Sequence, residues 1–312
     1  MNPMRLSSLI RPKSILVATD LHDLDFILPV AVEQATMTGA MIWLLHVIPA
    51  ETYVSVEAGR VPGAPKEKAF RDAEAILNGV TFDLKLKNIA CAYEVRRWYP
   101  VDQIKDFICE HGVERLVVGT SARGKLGKLL IGSVAEELIR NIDIPVCTVG
   151  PHCRPIPQAL PRRILFALSL RHHPEQGFLF AADLAAGLGA ELTVLHVSEQ
   201  ECFDDATGAG ARSKINEIVS RAKQKCHIRI RSGEPAEEIL AECEALKPEL
   251  LVLGSRAASA VSTRFRNGVV YRVIAQAPCP ALTLRSGPKA KLTANYREFS
   301  AVQSMSAPNE ER

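Results

Sequence analysis

The feature that most limits what this chain can fold into is a long internal repeat. Ile15-Leu16-Val17-Ala18 returns as Ile164-Leu165-Phe166-Ala167, and Leu44-Leu45-His46-Val47 returns as Val194-Leu195-His196-Val197. Further on, Leu116-Val117-Val118-Gly119 returns as Leu251-Val252-Leu253-Gly254, and Ile144-Pro145-Val146 as Cys279-Pro280-Ala281. The offset is about 150 residues early in the repeat and about 135 later, so the first copy carries roughly 15 extra residues, placed in the Pro/Gly-bearing stretch Thr52–Lys68. Stacked solenoid units repeat every 20–50 residues or so; a period this long means duplicated domains.

Within each copy, apolar β-branched runs alternate with helical patterns. The first copy reads as strands Ile15–Thr19, Trp43–Ile48, Ala92–Arg96, Arg115–Gly119 and Val146–Val149, with helices over Asp25–Thr38, Glu67–Asn78, Val101–His111 and Ser133–Asn141. The second reads as strands Ile164–Leu168, Leu192–Val197, His227–Arg231, Leu250–Gly254 and Ala281–Leu284, its first helix opening at Pro174. Strand-helix alternation gives a parallel doubly wound α/β sheet with right-handed crossovers covering both faces. Pro29 predicts a late start or a bend in the first helix. The chain divides into an extension (1–12), a first domain (13–150), a proline-rich linker (151–161), a second domain (162–285) and a tail without periodicity (286–312), read as disordered.

One stretch, Val117–Glu137, is organised for chemistry. A strand ending at Gly119 turns without a Cβ in the way, which lets backbone amides approach an anion. Ser133 with Glu136 three residues on is the sign of a capped helix start, whose free N–H groups and dipole favour phosphate, and Arg123, Lys125 and Lys128 lie between.

The remaining composition narrows the class. A net charge of +3 with no aromatic residues interleaved in a basic run argues against a nucleic-acid surface. The apolar runs are strand-sized, short of the roughly 20 residues needed to span a bilayer, and the first residues lack a signal-peptide core, which places the chain in the cytoplasm. Eight cysteines without a C-x-x-C pair read as reduced, mostly buried thiols. His152-Cys153 and His172-His173 are adjacent pairs that point apart, so no metal site is read from them. His46 and His196 fall inside strands, as hydrogen-bonded core histidines. No Ser/His/Asp set assembles from spacing, so no catalysis is expected; His22, two residues after Asp20, is the histidine nearest the site.

At these residues the chain resembles the universal stress protein family, in its tandem form, over about Lys13–Gly150 and Arg162–Arg285. Nucleotide-binding members carry G-x2-G-x9-G-[ST] after the fourth strand. Here Gly119, Gly132 and Ser133 match, and Ala122 stands where the second glycine belongs. The resemblance implies two five-stranded sheets of order 3-2-1-4-5, of the adenine nucleotide alpha-hydrolase-like type, with ATP or AMP, with or without magnesium, at the ends of strands 1 and 4. It assigns Asp20 to the adenosine, Val47 to the adenine, and Gly119, Ala122, Gly132 and Ser133 to phosphate and ribose. The Cβ of Ala122 crowds that cradle. It also implies an intramolecular pseudo-dimer or a homodimer, commonly through the fifth strands. In the second copy Ser169 replaces Asp20, Ala257 replaces the second glycine, and Asn267-Gly268 replaces Gly132-Ser133, so that copy is expected to keep the fold and lose the nucleotide.

Two other readings stay open. Gly119 to Lys125 matches the start of a P-loop, but Leu126 stands where a magnesium-binding hydroxyl is needed. Alternatively, the chain is a nucleotide-free adaptor that acts through unknown protein partners.

Overall fold

The structure is a computed structural model. It describes residues 10–49, 64–120, 131–154, 162–170, 174–198, 205–222, 224–256 and 268–286. The first half runs β1 (Ser14–Thr19), α1 (Leu24–Thr38), β2 (Met41–Pro49), α2 (Ala64–Leu86), β3 (Cys91–Trp98), α3 (Pro100–His111), β4 (Arg115–Gly119), α4 (Ser133–Asn141) and β5 (Val146–Val149). The second repeats it as β6 (Arg163–Ala167), α5 (Pro174–Leu188), β7 (Glu191–Ser198), α6 (Asp205–Val219), β8 (Cys226–Ser232), α7 (Pro235–Leu246), β9 (Leu250–Arg256), α8 (Val269–Gln276) and β10 (Ala281–Ser286).

The ten strands of the described residues form one sheet, in the order β3-β2-β1-β4-β5-β10-β9-β6-β7-β8. Each half is parallel with order 3-2-1-4-5, and the halves join where β5 and β10 pair antiparallel. That joint is reinforced twice over. Thr148 Oγ1 donates to the Ala281 carbonyl at 3.0 Å, and Thr283 Oγ1 donates to the Val146 carbonyl at 3.1 Å, both buried. Joining these strands also removes two edges that would otherwise present unpaired amides.

Alternation along the strands sorts the core onto two faces. Ile15 and Val17 point to the face covered by α1, α2, α5 and α6; Leu16 and Ala18 point to the face covered by α3, α4, α7 and α8. Local signals explain the helices. In α3, Pro100 occupies the first turn, Val101, Ile104 and Phe107 make one buried stripe, and Gly112 closes the helix at φ +57°.

The first helix starts at Leu24, within one residue of the Asp25 read from sequence and not delayed by Pro29, whereas the second helix departs from its reading. Pro29 only removes a donor to the Asp25 carbonyl, and both residues are exposed, so that carbonyl faces water. The second helix runs 23 residues against 15 for α6, continuing through Gly79 to Leu86 because Thr81 and Leu84 bury against the sheet. More than half of the extra length of the first copy is therefore helix. Residues 52–63 of the expected insertion, the tail beyond Ser286 and most of the linker lie outside the described residues.

Candidate functional site

Parallel strands 1 and 4 of the first half end side by side, with Ala18 opposite Val118. This is the crevice of an open α/β sheet where the crossovers diverge, the usual ligand position in such sheets. Gly119 is the last residue of β4, and the chain returns to it after the loop: the Gly132 N–H donates to the Thr120 carbonyl at 3.2 Å. Gly119, Gly132 and Ser133 are thus brought together, and Asp20 sits at the adjacent end of β1. Asp20 is exposed, with Oδ1 accepting the His22 N–H at 2.9 Å. Val47 is buried on the neighbouring strand β2, one residue beyond His46, the register partner of Thr19. Ala122, Arg123, Lys125 and Lys128 lie outside the described residues, and so does the pair that suggests a P-loop.

The expected capping role of Ser133 is not what the structure has. The N-cap is Gly132, at φ −60° and ψ 146°, and Ser133 is the first helical residue, exposed, with no side-chain cap bond at this end. Starting one residue earlier puts Ser133 in helical geometry, from which its hydroxyl cannot fold back onto the N–H two or three residues on. Glu136 accordingly pairs with Arg140 one turn further along, at 2.7 Å. With the Gly132 N–H taken by Thr120, the N–H groups of Ser133, Val134 and Ala135 are those that this helix end leaves without an intrahelical partner.

The residue that sequence reasoning missed is Asp23. It holds the N-cap position of α1, yet its side chain makes no cap bond. Instead Thr19 Oγ1 donates to Asp23 Oδ1 at 2.5 Å while accepting the Leu21 N–H at 2.8 Å, in a tight turn that holds Leu21 at φ +74°. The carboxyl, 7% exposed, lies against Gly119, where a Cβ would stand 2.4 Å from Oδ2. Burial, aided by the negative charge of Asp20 and opposed by the Thr19 hydrogen bond, pushes Asp23 up to about 6. The only sequence signal was a second aspartate three residues after Asp20, which an ordinary helix cap accounts for equally well.

The histidines are structural, as the strand positions suggest. His46 Nδ1 donates to the Thr19 carbonyl at 2.9 Å, and His196 Nδ1 repeats this with Leu168 at 3.0 Å, the carbonyl fixing the proton on Nδ1. Burial holds the imidazole of His46 below its usual range. His22 is exposed beside Asp20. The second half keeps this scaffold, with Gly254 in β9 and Gly268 as the N-cap of α8 at φ −67° and ψ 145°, close to the values at Gly132. Ser169 follows Leu168, no atom of the described residues lies within 4 Å of where a Cβ on Gly254 would stand, and Ala257 and Asn267 lie outside the described residues.

Comparison with known proteins agrees with this geometry. The model of the universal stress protein family matches residues 12–150 and again 161–285. A universal stress protein of Mycolicibacterium smegmatis is 25% identical over 283 residues, covering 82% of this chain and 90% of that protein. The crystal structure of a universal stress protein from Archaeoglobus fulgidus superposes with a TM-score of 0.71 at 22% identity, covering 89% of this chain and 98% of the other. A putative universal stress protein from Pseudomonas aeruginosa gives 0.63 at 17% identity, covering 89% and 95%. Among the described residues no helix is long and apolar enough to cross a membrane. With two family domains in tandem filling most of its length, the chain belongs to the universal stress protein family.

Proposed function

We propose that the chain is a non-catalytic cytoplasmic regulator that binds ATP or AMP in its first half and passes occupancy to partners through conformation. One observation carries this reading: Gly119, the Gly132 helix end and Asp20 converge at the ends of β1 and β4. Glycine at 119 leaves room for the Asp23 carboxyl at the floor of that crevice, and the open end of α4 offers N–H groups and a favourable dipole to phosphate. Asp20, exposed after the end of β1, would take a ribose hydroxyl or a magnesium ion. The second half, with Ser169 in place of Asp20, serves as scaffold and surface. Any hydrolysis is expected to stay below about one turnover per second. Calorimetry of the full chain with ATP and magnesium tests the reading. Binding with one nucleotide per chain is expected, and no heat at millimolar nucleotide contradicts it in favour of an adaptor.

A further inference from the structure

Phosphate held at the start of α4 fixes which way the rest of a nucleotide runs along the strand ends. Toward β5 the described residues close the crevice. Thr120, 3% exposed, donates its N–H to the Val149 carbonyl at 3.0 Å, and a Cβ on Gly150 would stand 3.2 Å from Thr120 Oγ1 and 3.5 Å from the Ile274 carbonyl oxygen of α8. The base therefore lies the other way, past Asp20 toward β2 and β3. There Thr19 pairs with His46, Val47 with Arg96, and Pro49 with Trp98, so that Trp98 stands two residues further out than buried Val47, on the next strand. At about 3.3 Å per residue and about 4.8 Å between strands, their Cα atoms are about 8 Å apart.

Trp98 and Tyr99 carry β3 into α3 and are 59% and 67% exposed. Trp98 is also strained: φ +95° lies beyond the left-handed well near +57° that side chains sometimes enter. The same corner of the second half is built differently. Gly233 takes φ +149° without strain, and Glu234 caps α7, accepting the Glu237 N–H at 3.1 Å, while pairing at 3.0 Å with Arg272 of α8. That ion pair ties the two helix starts together, so the residue before the helix proline faces the start of the next helix. In the first half Tyr99 stands in place of Glu234 and cannot make the tie, and the matching turn of α4 carries Glu136 and Glu137, Glu136 being paired with Arg140. An exposed, strained aromatic pair thus flanks the crevice in the half that has Asp20, and is replaced by Gly233-Glu234 in the half that has Ser169. Strain of this kind persists where a site uses it.

We infer that Trp98 and Tyr99 are the wall on which the base stacks, so that the crevice takes a purine nucleotide through its ring face and not through phosphate alone. This rests on the nucleotide reading of the crevice. Stacking is indifferent to the hydrogen-bonding edge of the base, so ATP and GTP gain alike from it.

Calorimetry and fluorescence on the full chain test this with ATP, GTP and inorganic tripolyphosphate, each with magnesium. Trp98 is one of two tryptophans, so Trp43→Phe isolates its emission, which ATP is expected to quench and tripolyphosphate to leave unchanged. Trp98→Gly with Tyr99→Ala gives position 98 the residue of the second half and keeps the fold. It is expected to weaken ATP and GTP by about tenfold or more each and to leave tripolyphosphate unchanged, while Trp98→Phe stays within about threefold of the wild type. No heat from the wild type at millimolar ATP overturns the nucleotide reading and this inference with it. ATP bound as tightly by the double variant, or bound without quenching Trp98, overturns this inference alone.

Discussion

Asp23 Oδ2 occupies the space in front of Gly119, so close that a Cβ on residue 119 would stand 2.4 Å from it and 3.2 Å from the Asp23 Cβ and Cγ. The glycine at the end of β4 is therefore matched to a carboxyl of its own chain, 96 residues earlier.

Gly119→Ala is expected to push Asp23 off Thr19 and cost about 1–3 kcal/mol, the range for disturbing a buried polar pair. The same change in an Asp23→Ala background should cost much less. Denaturant titration of the four proteins measures the coupling, and simple additivity would show that the two residues do not meet.

Asp23 also makes stability depend on pH. Its folded value, about 6, lies above the ordinary 3.8, so between these the native state holds more proton than the unfolded one. The neutral carboxyl favours folding at low pH, and that advantage is lost as pH rises through about 6. Asp23→Asn keeps an acceptor for Thr19, so it should stabilise the chain by about 1–3 kcal/mol at pH 8 and by little at pH 4. By removing a negative charge from the crevice, it should also tighten ATP several-fold at pH 8. Thermal melts across that range and calorimetry check both.

Trp98 sits at φ +95°, where the second half has Gly233 at φ +149°. A side chain in this region costs about 1–2 kcal/mol, and Trp98, 59% exposed, recovers little of it by burial. Trp98→Gly should therefore be about 1 kcal/mol more stable than Trp98→Ala, since the two differ mainly in that strain. Equal stabilities would locate no strain there.

Thr148 and Thr283 hold the joint between the halves through reciprocal bonds. Thr148→Val preserves shape and removes one of them, for an expected loss of about 1 kcal/mol. Hydrogen exchange should show faster opening of β10 amides, with those of β1 and β6 little changed.

Much of the fold was legible because its signals are local and repeated. Runs such as Ile15–Ala18 and Ile164–Ala167 declare strands, and Pro100 and Gly112 bracket a helix. What failed were positions decided by tertiary packing. Gly79 in α2 reads as a stop, yet Thr81 and Leu84 bury against the sheet and carry the helix on. Ser133 reads as a cap, yet the chain turns into the helix one residue sooner, after Gly132 has bonded back to Thr120. The crevice was half visible. Gly119 and Gly132 follow from the residue pattern and Asp20 from the family resemblance, whereas the burial of Asp23 depends on a glycine far along the chain that no local pattern ties to it.

The most direct measurement of the central claim is the nucleotide carried by protein purified from cells, released by denaturation and quantified by chromatography, for the wild type and Gly132→Ala. At φ −60° alanine fits the backbone without strain, so the variant changes chiefly what approaches the helix end. The wild type should release adenine nucleotide approaching one per chain, before or after loading with millimolar ATP and magnesium, and Gly132→Ala only a small fraction of it. Equal amounts from both proteins, or none from the loaded wild type, would contradict a nucleotide site in the first half.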